Sequence, residues 1–357
     1  MVKAIMHGCN GHMGQVITGL IKDDPEIEIV IELIGGIEPA RTYILEALEA
    51  GKNVVTANKD LIAEYGKELY DAAKEGSADF LFEAAVAGGI PIIRPLKQCL
   101  EGNQIDEIMG IVNGTTNYIL TKMFEDGMDF TEALAKATEL GYAEADPTAD
   151  VEGLDAGRKV AIMATSAFHS QVKFSDVYTE GITKITADDF KYAKVLNRSI
   201  KLLASSRKVG NSYSCMVAPF MLSAEHPLCG VNGVFNGIFV HGNVLGDAMF
   251  YGSGAGKLPT ASAVVADIVD MTKHKNTNIY IDWSPEKLTL VDYKDSVNSF
   301  FVRTSSGKET IENAFGSVEY ADAGIAGEIG FTTKDMTEAE FEKAAAQIEV
   351  RNRIRLG

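Results

Sequence analysis

IEIVIELIGGIEPARTYILEALEAGKNVVTANKDLIA, residues 27–63, places two β-branched runs, IEIVIELI and NVVTA, on either side of a helical pattern at 38–50. Both runs are apolar on both faces, as strands are when helices cover a sheet from two sides. A second helical pattern, 60–75, follows at once. The same rhythm continues outward: VKAIMH and a helical pattern at 11–22 precede the stretch, and DFLFEA and a helix near 91–101 come after it. Strands and helices alternating through short connections predict an α/β fold with a parallel sheet.

From about residue 104 the character changes. Longer helical patterns (130–140, 152–169 and 188–206) mix with the strand-like runs SYSCMVAPF, GIFVHG and AMFYG, which predicts a second domain of α+β type. Near Ser296 a small third unit begins, where NSFFVRT, GSVEYADAG and EIGFTTKD precede a helix at 336–347.

Composition excludes several classes. The 357 residues exceed the usual size of a single core, so two or three domains are expected. A hydrophobic content of 46% and the lack of a long uncharged apolar run exclude disorder and a membrane span. The opening MVKAIMHGCNG carries no secretory leader pattern, and Cys9, Cys99, Cys215 and Cys229 form no C-x-x-C pair; both features predict reduced thiols in a cytoplasm. A net charge of -17 argues against nucleic acid or an anionic membrane as a partner.

The first strand runs into H-G-C-N-G-H-M-G, with Gly8, Gly11 and Gly14 ahead of a helix. Glycines at a first strand-to-helix turn admit a pyrophosphate close to the backbone and to the helix N-terminus, although a purely structural turn reads the same way. Only about twenty residues separate Gly14 from Gly35, room for one helix and one strand. A two-halved dinucleotide sheet would insert two more strands there, with the residue that reads the adenosine ribose. Asp23 and Asp24 read instead as the solvated end of a helix, so the nucleotide domain is expected to be shortened and a choice of NAD or NADP is not legible.

Five segments then carry a specific resemblance: ELIGGIEPA (32–40), GKNVVTANKDLIA (51–63), FEAAVAGGIPIIRPL (82–96), GIVNGTTNYIL (110–120) and GYAEADPTADVEGLDAGRK (141–159). In this order and spacing they resemble homoserine dehydrogenase, over roughly residues 24–270. The first twenty residues look instead like the opening of dihydrodipicolinate reductase, whose paired histidines are missing here, since all six histidines stand alone. The resemblance implies a shortened Rossmann-like domain at 1–103 with a helix at about 260–275 packing back on it. A catalytic and dimerisation domain at 104–290 and a shortened ACT-like unit at 296–357 would follow. The D-x-P-G turn usual in such a unit is missing, so feedback by an amino acid is not assumed.

The implied activity is interconversion of L-aspartate 4-semialdehyde and L-homoserine with NADP or NAD, in threonine and methionine biosynthesis, by a homodimer or homotetramer. A second reading is a binding or structural homologue with a defective dinucleotide site. Hydride delivery to an aldehyde builds negative charge on oxygen, so a cation and a proton donor are needed, and acids must hold the substrate ammonium. Asp155 and Lys159 stand at i and i+4 and share a helix face. Alone they read as a surface ion pair; the resemblance makes Lys159 the proton donor and Asp155 its orienting partner.

By the same resemblance Glu144, Asp150, Tyr142 and Thr115 bind substrate, and Lys59, beyond the end of a strand, touches both nicotinamide and substrate. Read without it, Glu144 and Asp150 are solvated or capping acids and NGTTNY is an N-cap. Asp146 and Glu152 read as turn and cap acids. Gly8, Asn10, Gly11, His12, Met13, Gly35 and Gly254 are the implied cofactor contacts, and Glu83, Val86, Gly88 and Ile90 the implied Na+ or K+ loop.

Overall fold

Burial on both faces explains the first sheet of the computed structural model, which describes residues 3–7, 27–274, 277–278, 283–284, 286 and 288–357. Strands β1 (Lys3–His7) and β2 (Ile27–Glu32) precede helix α1 (Ala40–Glu49); β3 (Asn53–Thr56), α2 (Lys59–Glu75) and β4 (Phe80–Leu81) follow. The four strands are parallel and lie in the order β1-β2-β3-β4. Val30 and Val54 face the core shared with Ile44 and Leu48 of α1 and Leu61 and Leu69 of α2. Ile29, Ile31 and Val55 face the other way, onto Ala263, Val264 and Met271. These runs are apolar on both faces because both faces are covered. The expected helix near 91–101 is a single π-type turn, Pro95–Cys99.

The second sheet starts with a strand that the sequence reading did not anticipate, β5 (Ile105–Ile111). After it come α3 (Gly114–Asp126), α4 (Phe130–Glu139), the one-turn α5 (Thr148–Val151) and α6 (Leu154–Phe168). Then follow β6 (Tyr178–Thr179), α7 (Ala187–Val195), β7 (Arg198–Val209), β8 (Ser212–Ser223), β9 (Phe235–Gly242), β10 (Gly246–Ser253) and α8 (Lys257–Lys273). It is α8 that supplies Ala263, Val264 and Met271 to the first sheet. The helix expected at 188–206 stops at Val195, and Asn197 turns the chain in the left-handed region before β7 pairs with β8 along its length. Ser199 through Ser206 are buried on both faces, so the stretch lacks the alternation that marks a half-exposed strand.

The last residues form β11 (Val297–Asn298), β12 (Phe300–Thr304), α9 (Lys308–Phe315), β13 (Glu319–Ala321), β14 (Ile329–Thr332), β15 (Met336–Thr337), α10 (Glu338–Ala345) and β16 (Val350–Leu356). Thr337 and Glu340 cap α10 reciprocally. β16 pairs antiparallel with β12 and parallel with β8, so this unit extends the central sheet, which runs β10-β9-β5-β7-β8-β16-β12-β14-β13.

Buried charge holds the junction. The guanidinium of Arg355, fully buried, donates to Glu338 and, at 2.8 Å, to Glu180; Arg353 reaches Glu180 at 3.1 Å. Beyond Glu180, Gly181 packs against the turn between α5 and α6 so closely that a Cβ would lie 2.1 Å from the Val151 carbonyl oxygen. Ile182 N donates to that same oxygen at 2.8 Å. Replacing Arg355 with Met leaves the buried Glu338 carboxylate without its closest arginine and removes one of two arginines from part-buried Glu180, and urea unfolding should show a loss of about 3 kcal/mol.

Candidate active site

The carboxyl ends of β2 and β3 are fixed first. Glu32 accepts from Ile34 N (2.5 Å), Gly35 N (3.2 Å) and the Thr56 hydroxyl (2.6 Å). Asn58 caps α2 by accepting from Leu61 N and ties back to Gly36 O at 2.6 Å. Lys59 therefore begins α2 at the open end of the sheet, where ligands of parallel sheets bind.

Opposite it stands the start of α6, where the left-handed Gly153 occupies the cap position with no side-chain bond. Neither Glu152 nor Asp150 caps this helix, contrary to the sequence expectation. Asp146 does serve its turn, accepting from Thr148 N at 3.1 Å. Asp155, in the first turn and only 8% exposed, takes Lys159 Nζ at 2.6 Å on one oxygen and faces Lys59 Nζ at 3.5 Å with the other. Lys159 also donates to Val112 O at 2.7 Å. An ammonium has three donors, so one N–H of Lys159 remains for the adjoining cleft.

Asn113 completes the cluster. It caps α3 through Thr116 N (2.9 Å), and its amide donates to Asp150 (2.6 Å) and Asp155 (2.9 Å). The sequence reading did not single it out, although Asn before a helix is a strong capping signal. The two hydroxyls of NGTTNY are committed to main chain, Thr115 to Tyr142 O at 2.7 Å and Thr116 to Asn113 O at 3.1 Å.

Burial would raise the Asp155 carboxyl, but Lys159 foremost, then Lys59 and the bonds from Lys159 and Asn113, hold it down at about 2. Asp150 moves the other way: burial raises it, partly opposed by the bond from Asn113.

These residues surround one cleft of about 610 Å³. It brings together Lys59, Gly88, Thr115, Tyr142, Glu144, Asp150, Asp155, Lys159 and Gly254; Gly35, Glu83, Val86 and Ile90 do not line it. Gly8, Asn10, Gly11, His12 and Met13 lie outside the described residues. Glu83 is spent on main chain: its carboxylate accepts from Ile92 N (2.6 Å), Ile93 N (2.8 Å) and Arg94 N (2.7 Å). Its main-chain carbonyl, not this carboxylate, is what remains to face a cation. Among the described residues no cluster of His, Cys, Asp and Glu could hold a metal, and no helix is long and apolar enough to cross a membrane. Cys99, Cys215 and Cys229 are free thiols.

Comparison with known proteins places the chain among relatives of one kind. A family model described as homoserine dehydrogenase matches residues 91–269, and one described as the NAD binding domain of homoserine dehydrogenase matches residues 12–83. The chain is 53% identical over 255 residues to homoserine dehydrogenase of Synechocystis sp., covering 70% of this chain and 59% of that protein. With homoserine dehydrogenase of Bacillus subtilis it shares 44% over 299 residues, 79% of this chain and 69% of the relative. It thus spans about three fifths to two thirds of the length of these relatives. The solved homoserine dehydrogenase of Thiobacillus denitrificans superimposes with a TM-score of 0.86 at 36% identity, over 98% of this chain and 88% of that one. A hyperthermophilic archaeal homoserine dehydrogenase mutant in complex with NADPH gives 0.62 at 32% identity, over 72% and 74%.

A carboxyl held at about 2 contributes stability that is present above its unfolded value of about 3.9 and is lost as pH falls through the folded value. The advantage of wild type over Asp155→Asn in urea unfolding should therefore shrink by about 2 kcal/mol between about pH 5 and about pH 2. A difference that stays flat across that window would contradict the assigned charge environment.

Proposed function

The chain belongs to the homoserine dehydrogenase family, and from that premise we propose that it interconverts L-aspartate 4-semialdehyde and L-homoserine with NADP or NAD. The observation that carries the reading is the convergence of Lys159, Asp155 and Lys59 on the cleft that Glu144 and Asp150 also line.

The cleft suits the nicotinamide end of such a cofactor, because Lys59 stands at the open end of β3 and main chain alone is presented at Gly88, Gly114 and Gly254. When bound, the nicotinamide supplies or accepts the hydride. Glu144 and Asp150 hold the substrate ammonium, with Tyr142 and Thr115 shaping that end. Lys159, with two of its N–H groups fixed by Asp155 and Val112 O, turns the third toward the substrate oxygen. It gives up a proton as an alkoxide forms and takes one back in the oxidative direction. Asp155 sets the direction of that N–H, and Lys59 adds a second positive charge near the developing oxyanion.

For Na+ or K+ the oxygens on offer are the main-chain carbonyls of Glu83, Val86, Gly88 and Ile90, in a loop bent by left-handed Ala87 and Gly88. The βαββαβ order of the last residues supports an ACT-like unit. Exposed Phe235, Val244, Leu245 and Tyr251 near the β10 edge support a homodimer or homotetramer, working in the cytoplasm on threonine and methionine supply.

Purified protein given homoserine and NAD or NADP should form reduced nicotinamide. Lys159→Ala should lower kcat by about 10²–10⁴-fold while leaving substrate affinity largely intact. Absence of both turnover and cofactor binding in the wild type would defeat the reading. Affinity collapsing while the rate per bound substrate persists would remove Lys159 from the proton step. Glu144→Gln should instead raise KM for homoserine, by about tenfold.

A further inference from the structure

Asn236 lies in β9 opposite Gly252 of β10 and is 1% exposed, yet neither Nδ2 nor Oδ1 has a hydrogen-bond partner. A buried amide left unpaired lowers stability, and such groups call for an explanation. Its surroundings supply one. The amide presses on Gly254, where a Cβ would fall 1.8 Å from Nδ2 and 2.6 Å from Oδ1. On the far side of the same turn a Cβ at Gly88 would lie 2.6 Å from Gly254 O. Gly114, the first residue of α3, flanks Oδ1, with its Cβ position 3.8 Å away. Gly254 and Gly114, both beside the amide, line the cleft together with Gly88.

The turn is also a bridge between the two halves of the molecule. Gly254–Gly256 leads into α8, which packs on the parallel sheet, whereas Asn236 belongs to the floor of the large sheet. A carboxamide offers donors and an acceptor together, the complement of a peptide group's C=O and N–H.

We propose that Asn236 is a positioning residue for the reaction: its amide is the partner of the Gly254–Gly256 main chain once a nicotinamide ring fills the cleft, fixing that turn against the ring. This rests on the reading of the site given above. Asn236 carries no proton in the reaction and acts through the turn.

The test is Asn236→Leu, which keeps the size and removes the polar atoms. Melting without ligand should occur at the same or a higher temperature than for wild type, because an unpaired amide has been removed. The rise in melting temperature produced by saturating NADPH should fall by at least about half, and kcat/KM for homoserine should fall at least about tenfold. An unchanged NADPH-induced rise with unchanged kcat/KM overturns the proposal and leaves the assigned activity standing. Wild-type protein that shows neither turnover nor an NADPH-induced rise overturns both. Should the variant fail to fold, hydrogen exchange on the wild type decides: amides of residues 254–256 gain protection with NADPH if the proposal holds, and an unaltered exchange rate overturns it.

Discussion

The carboxylate of Asp155 is the point through which the two halves of the molecule are put in register. It receives Lys159 from its own helix, Asn113 from the cap of α3 and Lys59 from the first turn of α2. The first two belong to the second domain, whereas Lys59 is carried by the parallel sheet. A buried acid without partners would protonate or open its surroundings to water, and of its three partners Lys59 stays in place only while the two sheets keep their relative placement. The same contacts divide the labour of the cleft. Asn113 ties Asp150 and Asp155 together from one amide, while Lys159 and the exposed Glu144 line the same cleft.

Much of this was legible in the chain because local pattern and tertiary burial agree. IEIVIELI and NVVTA carry apolar residues on both faces, and both faces are indeed covered, one by α1 and α2 and the other by α8. The signature around Asp155 and Lys159 announced their pairing because i and i+4 residues meet on any helix. Where the reading failed, burial had erased the pattern. β7 is enclosed on both faces, so its sequence reads as a continuation of the helix that in fact stops ahead of the left-handed Asn197. The Glu83 carboxylate is taken up by three N–H groups nine or more residues further on, a partnership no local motif reveals. Asn113 was hidden in plain view inside NGTTNY, because its capping role and its hold on two acids are both required of a single side chain.

The last strand is more than an appendage to this arrangement. By pairing with β8 it continues the large sheet, and its arginines reach Glu180, whose neighbours Gly181 and Ile182 brace the turn that carries Asp150 and Asp155. A change in the C-terminal unit therefore has a short contiguous route, through packed main chain, to the acids of the cleft.

That clamp also fixes an order of events in the life of the chain. Glu180 and Arg355 are 175 residues apart, and a ribosome adding roughly 5–20 residues per second takes on the order of ten to thirty seconds to make the second after the first. Throughout that interval Glu180 has neither of its arginine partners, however complete the helices around it. The turn that carries Asp150 and Asp155 is thus synthesised well before the arginines that brace it through Glu180.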